Sequence, residues 1–403
     1  MKDIFKMKNI AKIIFVILLT KSLVAFAEVR ETEFGKAEGY PFAFATPFRL
    51  VPQFRVGGFT GKGLTEIENR VPPFWMTPEQ SISQIPVHLS KSYQQSDAQR
   101  LMEKNPITAM LLIKNGSIVF EGYQYGSTAD TLFDSQSIAK TFTALAIGTL
   151  IDDGLLKSTN EKMGDLVPAL KESPIGRATV RQTLQMTCGH KFKFTEDGQS
   201  STAGEYLTVK YAFRGRGSKN IYDYYKTLEP LEPGSVFSYD PHCSDALSML
   251  VTQLTGKNLR EYFGERIWKR LGPQKRVAWL SPTLHPELTS GANGYYSSLR
   301  DYGRLALLFL NEGKHNENQI ISKQWMKLMH TDTVDVGDYP SNFKRYGYQT
   351  WIKEKTQGSW FAGLGLLGQR FYIDIETKSA MLIFALDYSH VPSSDAFWER
   401  FKR

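Results

Sequence analysis

The dipeptide Asn115-Gly116 constrains the fold of this chain more than any other short feature. It joins two runs rich in apolar and β-branched residues, 108–113 and 117–120. Asn-Gly accepts the positive φ angles of a tight turn, so two such runs around it predict a β-hairpin. A second pair of apolar runs, 369–376 and 380–387, flanks Thr377-Lys378 near the other end of the chain. Between the two pairs the periodicity turns helical. Residues 137–155 carry an apolar face in Phe142, Leu145, Leu150 and Ile151, with Asp134 or Ser135 placed to cap the start and Asp152-Asp153-Gly154 to stop it. Residues 244–254 and 301–311 read as further helices, ended by Thr255-Gly256 and Glu312-Gly313. Strands at both ends with helices between them predict an α/β (α+β) chain. One antiparallel sheet is closed by the two chain ends, and about residues 160–290 form a helical, loop-rich insertion.

The N-terminal residues read as an address and not as part of that fold. Lys2, Lys6, Lys8 and Lys12 precede a short apolar stretch at 13–19, and Ala25-Phe26-Ala27 has the small-x-small form of a cleavage site. Residues 1–27 are therefore expected to be a signal peptide cut before Glu28. The stretch is followed by Lys21 and falls short of the roughly 20 residues that a span requires. This predicts an exported protein, periplasmic or secreted, without stable membrane insertion. The same segment holds a net +4 of the chain's +8, and what remains is too little to argue for a polyanion partner. Residues 28–105 are rich in Pro, Gly and aromatics and predict an extended N-terminal arm with little periodic structure, leaving 106–403 as the main domain. The basic, aromatic stretch 209–226 reads as a solvated loop near the site, not as a nucleic-acid surface.

Two cysteines exclude a disulfide framework or a Cys-rich zinc module, and leave Cys188 and Cys243 open to pairing or to remaining buried thiols. His190, His242 and His285 lack metal-ligand spacing, and no Gly-rich phosphate loop follows a strand. No metal and no organic cofactor are expected.

The tetrapeptide Ser137-Ile138-Ala139-Lys140 is the leading catalytic candidate. On a helix, residues three apart share a face, which sets the Lys amine beside the Ser hydroxyl. A lysine held there and partly desolvated can lose its proton and act as a base toward the serine. The helix N-terminus adds N–H groups where an oxyanion would form. The spacing recurs at Ser341-Asn342-Phe343-Lys344, but in a stretch without helical periodicity, where it reads as coincidence. Pro233-Gly234-Ser235-Val236-Phe237-Ser238-Tyr239 leads into the 244–254 helix and delivers a phenol suited to relaying protons. Gly363, Gly365 and Gly368 read as glycines on a strand edge, where a bare backbone approaches a substrate and an N–H completes an oxyanion hole.

Taken in order, these segments resemble the penicillin-recognising serine hydrolases, which include class C β-lactamases, D-aminopeptidases, β-lactamase-like esterases and 6-aminohexanoate-dimer hydrolases. The likeness runs through the first hairpin, Ser137-x-x-Lys140 and Thr179-Val180-Arg181-Gln182-Thr183-Leu184-Gln185-Met186-Thr187-Cys188-Gly189. It continues through Pro233-Gly234-x-x-Phe237-x-Tyr239, Glu261-Tyr262, Ile267-Trp268-Lys269-Arg270-Leu271-Gly272 and Asn293-Gly294-Tyr295-Tyr296-Ser297-Ser298-x-Arg300-Asp301. Ile267-Trp268 and Gly365-x-x-Gly368-Gln369 look closest to the 6-aminohexanoate-dimer hydrolase branch.

The resemblance implies a β-lactamase/transpeptidase-like fold, an antiparallel sheet flanked by helices with an inserted helical subdomain. It implies cleavage of a small-molecule or short-peptide amide or ester through an acyl-enzyme on Ser137. Lys140 would be the base, Tyr239 the general acid/base, and the N–H groups of Ser137 and Leu366 the oxyanion hole. There are two departures. Pro241 stands where β-lactamases place Asn after the Tyr, and Phe361-Ala362-Gly363 stands in place of their Lys-Thr-Gly. Lys355-Thr356-Gln357-Gly358 lies too early and has an extra residue. Both departures weigh against efficient β-lactam turnover. A non-catalytic or slowly acylated penicillin-binding sensor and a cell-wall peptidase or transpeptidase remain alternatives.

Overall fold

The computed structural model describes residues 75–76, 97–125, 127–190, 192, 221–279, 281, 287–353, 360–386 and 388–403. The expected signal peptide and most of the arm lie outside the described residues. Within the arm's range, Asp97–Glu103 forms a helix, a regular element that the Pro- and Gly-rich composition did not predict.

The strands are β1 (Trp75–Met76), β2 (Ile107–Lys114), β3 (Ser117–Tyr123), β4 (Leu132–Asp134), β5 (Val277–Trp279), β6 (Tyr295–Ser298) and β7 (Lys314–His315). They continue with β8 (Asn318–Gln319), β9 (Val334–Asp335), β10 (Arg345–Tyr346), β11 (Trp351–Ile352), β12 (Phe361–Gly365), β13 (Gln369–Asp374) and β14 (Ser379–Ala385). Eight form an antiparallel sheet in the order β3-β2-β14-β13-β12-β11-β10-β9. The chain ends do close this sheet: β14 pairs with β2 from Ser379↔Lys114 to Ala385↔Ile107. Asn115 and Gly116 both have positive φ, as the β2–β3 turn requires. Four further strands form a separate sheet, β1-β5-β6-β4, which the sequence did not announce.

Burial follows from position. Every residue of β13 and β14 is buried, so these central strands read as nearly continuous apolar runs. Side chains alternate across the sheet. Phe371 meets Phe142 and Phe309 on one face, while Tyr372 meets Trp360 and Trp398 on the other. The Leu299–Leu310 helix carries Phe309, and the Val391–Phe401 helix carries Trp398, so helices cover both faces.

Between the sheet and the insertion runs the helix Ala139–Asp152. One apolar face was expected, yet every residue from Ala139 to Leu150 is buried. Its threonines survive there by bonding to carbonyls: Thr141 donates to Gln349, Thr143 to Gly291 and Thr149 to Ala146. A Cβ at Gly148 would lie 2.2 Å from the Trp325 ring, so only glycine lets the Lys323–Thr331 helix approach this closely. The insertion contains the helices Met163–Leu166, Val180–Leu184, Ile221–Lys226, Pro241–Thr255 and Leu259–Arg266, together with β5.

Candidate active site

Ser137 lies in a single 3-10 turn, Gln136–Ile138, that joins β4 to the Ala139–Asp152 helix. The helix therefore starts two residues later than its pattern suggested. Neither expected cap acts in the usual way. Ser135 makes no side-chain capping bond, whereas the Asp134 carboxylate accepts from the Gln136 backbone N–H at 2.9 Å and its side-chain amide at 2.5 Å. Those bonds hold Gln136 at φ 48°, a left-handed conformation that turns the chain sharply and presents Ser137. A residue held there costs about 1–3 kcal/mol and persists only where its surroundings over-determine it.

One helical step on, Lys140 donates to Ser137 Oγ at 3.1 Å and to the Ala292 carbonyl at 2.8 Å. It is only 3% exposed. Burial lowers its pKa to about 8, against the opposing pull of Asp245 and Asp240. Tyr239 completes the group. Lys140 Nζ sits 5.2 Å from the centre of its ring. Burial pushes the Tyr239 pKa up, opposed by a hydrogen bond with Ser137. The structure thus brings Ser137, Lys140 and Tyr239 together. The second Ser-x-x-Lys has no helix: Ser341 and Lys344 lie in irregular chain before β10.

Tyr239 is delivered by a capped helix start. Asp240 accepts from the His242 N–H at 2.9 Å, and Pro241 takes the first helical position, where a missing N–H costs nothing. The helix is thus three residues longer at its start than expected. The loop carrying Tyr239 is strapped from one side: Ser238 N–H donates to the Met186 carbonyl, Gly234 N–H to Thr187, and Cys188 is disulfide-bonded to Cys243. Opposite stand Trp351, Tyr346 and Tyr339, with ring centres 5.0, 6.0 and 6.0 Å from that of Tyr239.

Gly363 and Gly365 belong to β12, an interior strand between β11 and β13 and not an edge. Their role as close-approach points stands on geometry: a Cβ at Gly365 would lie 2.7 Å from the Ser135 carbonyl, and one at Gly363 would lie 3.1 Å from Thr141 Oγ1. Leu366 follows Gly365 in the turn to β13 and is 47% exposed. The turn therefore lies alongside the nucleophile segment.

Several participants escaped the sequence reading. Asp245 is buried and accepts from Ser290 Oγ and the Ala292 N–H, both at 3.2 Å. Gln349, in a left-handed conformation at φ 55°, accepts from Thr141 through its carbonyl and from Ser244 through its side chain. The fold also gathers His190 and His242 around Asp240, which their spacing hid. His190 Nε2 and Asp240 Oδ2 are 4.0 Å apart, wider than the roughly 3.4 Å between two ligands of one tetrahedral ion. The His242 ring is engaged by Asp240 at 2.6 Å and by Tyr224 at 3.2 Å. His285 lies outside the described residues.

Comparison with known proteins places the fold. A 6-aminohexanoate-dimer hydrolase of Paenarthrobacter ureafaciens is 23% identical over 300 residues, covering 71% of this chain and 74% of its own length. A Bacillus anthracis protein assigned by name to the 6-aminohexanoate-dimer hydrolases superposes with a TM-score of 0.72 at 23% identity, over 81% of this chain and 89% of the other. A penicillin binding protein from Bacillus halodurans gives 0.59 at 18% identity, over 75% and 99%. The family model described as Beta-lactamase matches residues 95–392, most of the chain, and the chain therefore belongs to the beta-lactamase family.

Proposed function

We propose that this chain hydrolyses an ester or amide through an acyl-enzyme on Ser137, with Lys140 as the base and Tyr239 as the general acid. The hydrolase class follows from the family. The assignment of roles rests on one observation, the buried Lys140 amine 3.1 Å from Ser137 Oγ with its pKa lowered to about 8. Neutral Lys140 takes the Ser137 proton as Oγ attacks the acyl carbon. Tyr239, kept protonated by burial, supplies a proton to the leaving group and is restored from Lys140. The N–H groups of Ser137 and Leu366 are assigned to the developing oxyanion.

The substrate class is a small-molecule or short-peptide ester or amide lacking the β-lactam carboxylate. Phe361, at the place of the triplet's lysine, is buried and stacked on His330 at 5.0 Å, so it offers no cation. Pro241 offers no side-chain amide. A fluorophosphonate should label Ser137 and not Ser341, and Ser137→Ala should lose activity on the order of 10³-fold or more. Short-chain esters should turn over at least ~10²-fold better in kcat/KM than nitrocefin. Labelling that survives Ser137→Ala refutes the nucleophile, and comparable nitrocefin rates refute the substrate class.

We propose further that the protein acts outside the cytoplasm. The Lys-rich, apolar, Ala-x-Ala pattern at 1–27 and the paired cysteines support this. The exported protein should begin at Glu28 by N-terminal sequencing. Intact Met1 in a membrane fraction contradicts it.

A further inference from the structure

We propose that Asp245 is a positioning residue for Lys140: it fixes the backbone turn that holds the amine, and its carboxylate stabilises the ammonium that forms when Ser137 gives up its proton. The proposal rests on Lys140 being the base.

The geometry begins with the turn 290–292. On one side it is pinned to the Pro241–Thr255 helix, where Asp245 Oδ1 accepts from Ser290 Oγ and from the Ala292 N–H, both at 3.2 Å. A Cβ at Gly291 would lie 2.0 Å from the Ser244 carbonyl, so the turn lies flat on that helix. On the other side it grips the nucleophile helix, where the Gly291 carbonyl accepts from Thr143 Oγ1 and the Ala292 carbonyl from Lys140 Nζ, both at 2.8 Å. One carboxylate thus sets the position of the carbonyl that orients the base.

Its charge acts on the same amine. Asp245 is 3% exposed, as is Lys140, so water screens the pair little. Lys140 is influenced by Asp245, Asp240 and the Tyr239 ring. Burial raises the Asp245 pKa to about 6, against the pull of Lys140 and His242, so the carboxylate is ionised above that pH, and it acts in turn on Tyr225. Of the two carboxylates, Asp245 acts more strongly on Lys140, and Asp240 is already engaged by His242 at 2.6 Å. In the acylation step the Ser137 O–H bond breaks, an N–H bond forms on Lys140, and Oγ bonds to the acyl carbon as the carbonyl π pair moves onto its oxygen; the bond to the leaving group then breaks as that pair returns, and the leaving group takes its proton from Tyr239. The positive charge then created at Nζ is matched by Asp245, which keeps its own protonation.

Asp245→Asn separates the two roles of the carboxylate. It keeps an acceptor for Ser290 and Ala292 and removes only the charge. The readout is the acid limb of kcat/KM for a short-chain ester, which reports the free enzyme's base. Without the carboxylate the ammonium is less favoured, so the midpoint should move about one pH unit or more toward lower pH, and the plateau should fall because the amine is a weaker base. A purely structural role lowers the plateau and leaves the midpoint in place; that result overturns the proposal. If Asp245→Asn does not fold, the carboxyl carbon of Asp245 can be titrated by NMR in the native chain and in Lys140→Met. A higher midpoint in Lys140→Met supports the pair, and an unchanged one overturns it. Failure of the underlying reading has a separate signature: near-normal turnover in Lys140→Arg removes the base itself, whatever Asp245 does.

Discussion

Lys140 is buried and Tyr239 partly buried, and desolvation drives their pKa values in opposite directions while favouring the neutral form of each. The amine gives up its proton near neutral pH, and the phenol keeps its own. One desolvated pocket therefore prepares an acceptor and a donor together. In the proposed mechanism the active form carries neutral Lys140, so kcat/KM should rise with pH, with its midpoint near 8, and fall about tenfold per unit below it. Lys140→Arg keeps a cation that does not deprotonate, so acylation should be abolished while thermal melting stays close to native; near-normal turnover sinks the base assignment. Ser137, Lys140 and Tyr239 were legible because each sits in a short motif whose spacing has a local meaning. Gln349 and Asp245 were not. The partners of Gln349 lie 208 and 105 residues away at Thr141 and Ser244, and those of Asp245 begin 45 residues on at Ser290. No local pattern marks a residue whose work is done across such distances.

The segment 179–189 and the start of the Pro241–Thr255 helix behave as one unit around Tyr239. The first is a short helix begun by a capping box between Thr179 and Gln182, then a turn with Met186 at φ 59°. The disulfide Cys188–Cys243 closes 55 residues and fastens that turn to the helix that follows Tyr239. Replacing either cysteine by serine should cost about 2–4 kcal/mol of stability. It should also lower turnover more than it lowers the final extent of fluorophosphonate labelling, since Ser137 itself is held elsewhere. Unchanged melting and turnover would show the strap to be idle. The sequence left this pairing open because a spacing of 55 residues does not reveal that the two Cα atoms meet at 6.0 Å. The helix starts were misjudged for a related reason. Apolar periodicity marks the buried part of a helix, whereas its first turn is set by caps, and at Asp240 and Ser298 those caps stand before the first apolar repeat.

Across the whole molecule the two hairpins were the most legible part, and the β1-β5-β6-β4 sheet the least. Strands of two to four residues leave no alternation long enough to read. The union of the two hairpins forms the buried centre of the large sheet, since β2, β14 and β13 are buried almost throughout. Deleting residues 379–403, which removes β14 and the final helix, should leave a chain with no cooperative melting transition, checked by calorimetry; a truncated chain that melts near the native temperature contradicts this. The same pairing has a consequence in time. Thr108 bonds to Phe384, 276 residues further along the chain. During synthesis, the β2 edge opposite β3 stays unpaired until β14 has been made. For that whole interval an apolar strand edge is open, and an open edge is where two nascent copies would pair with each other.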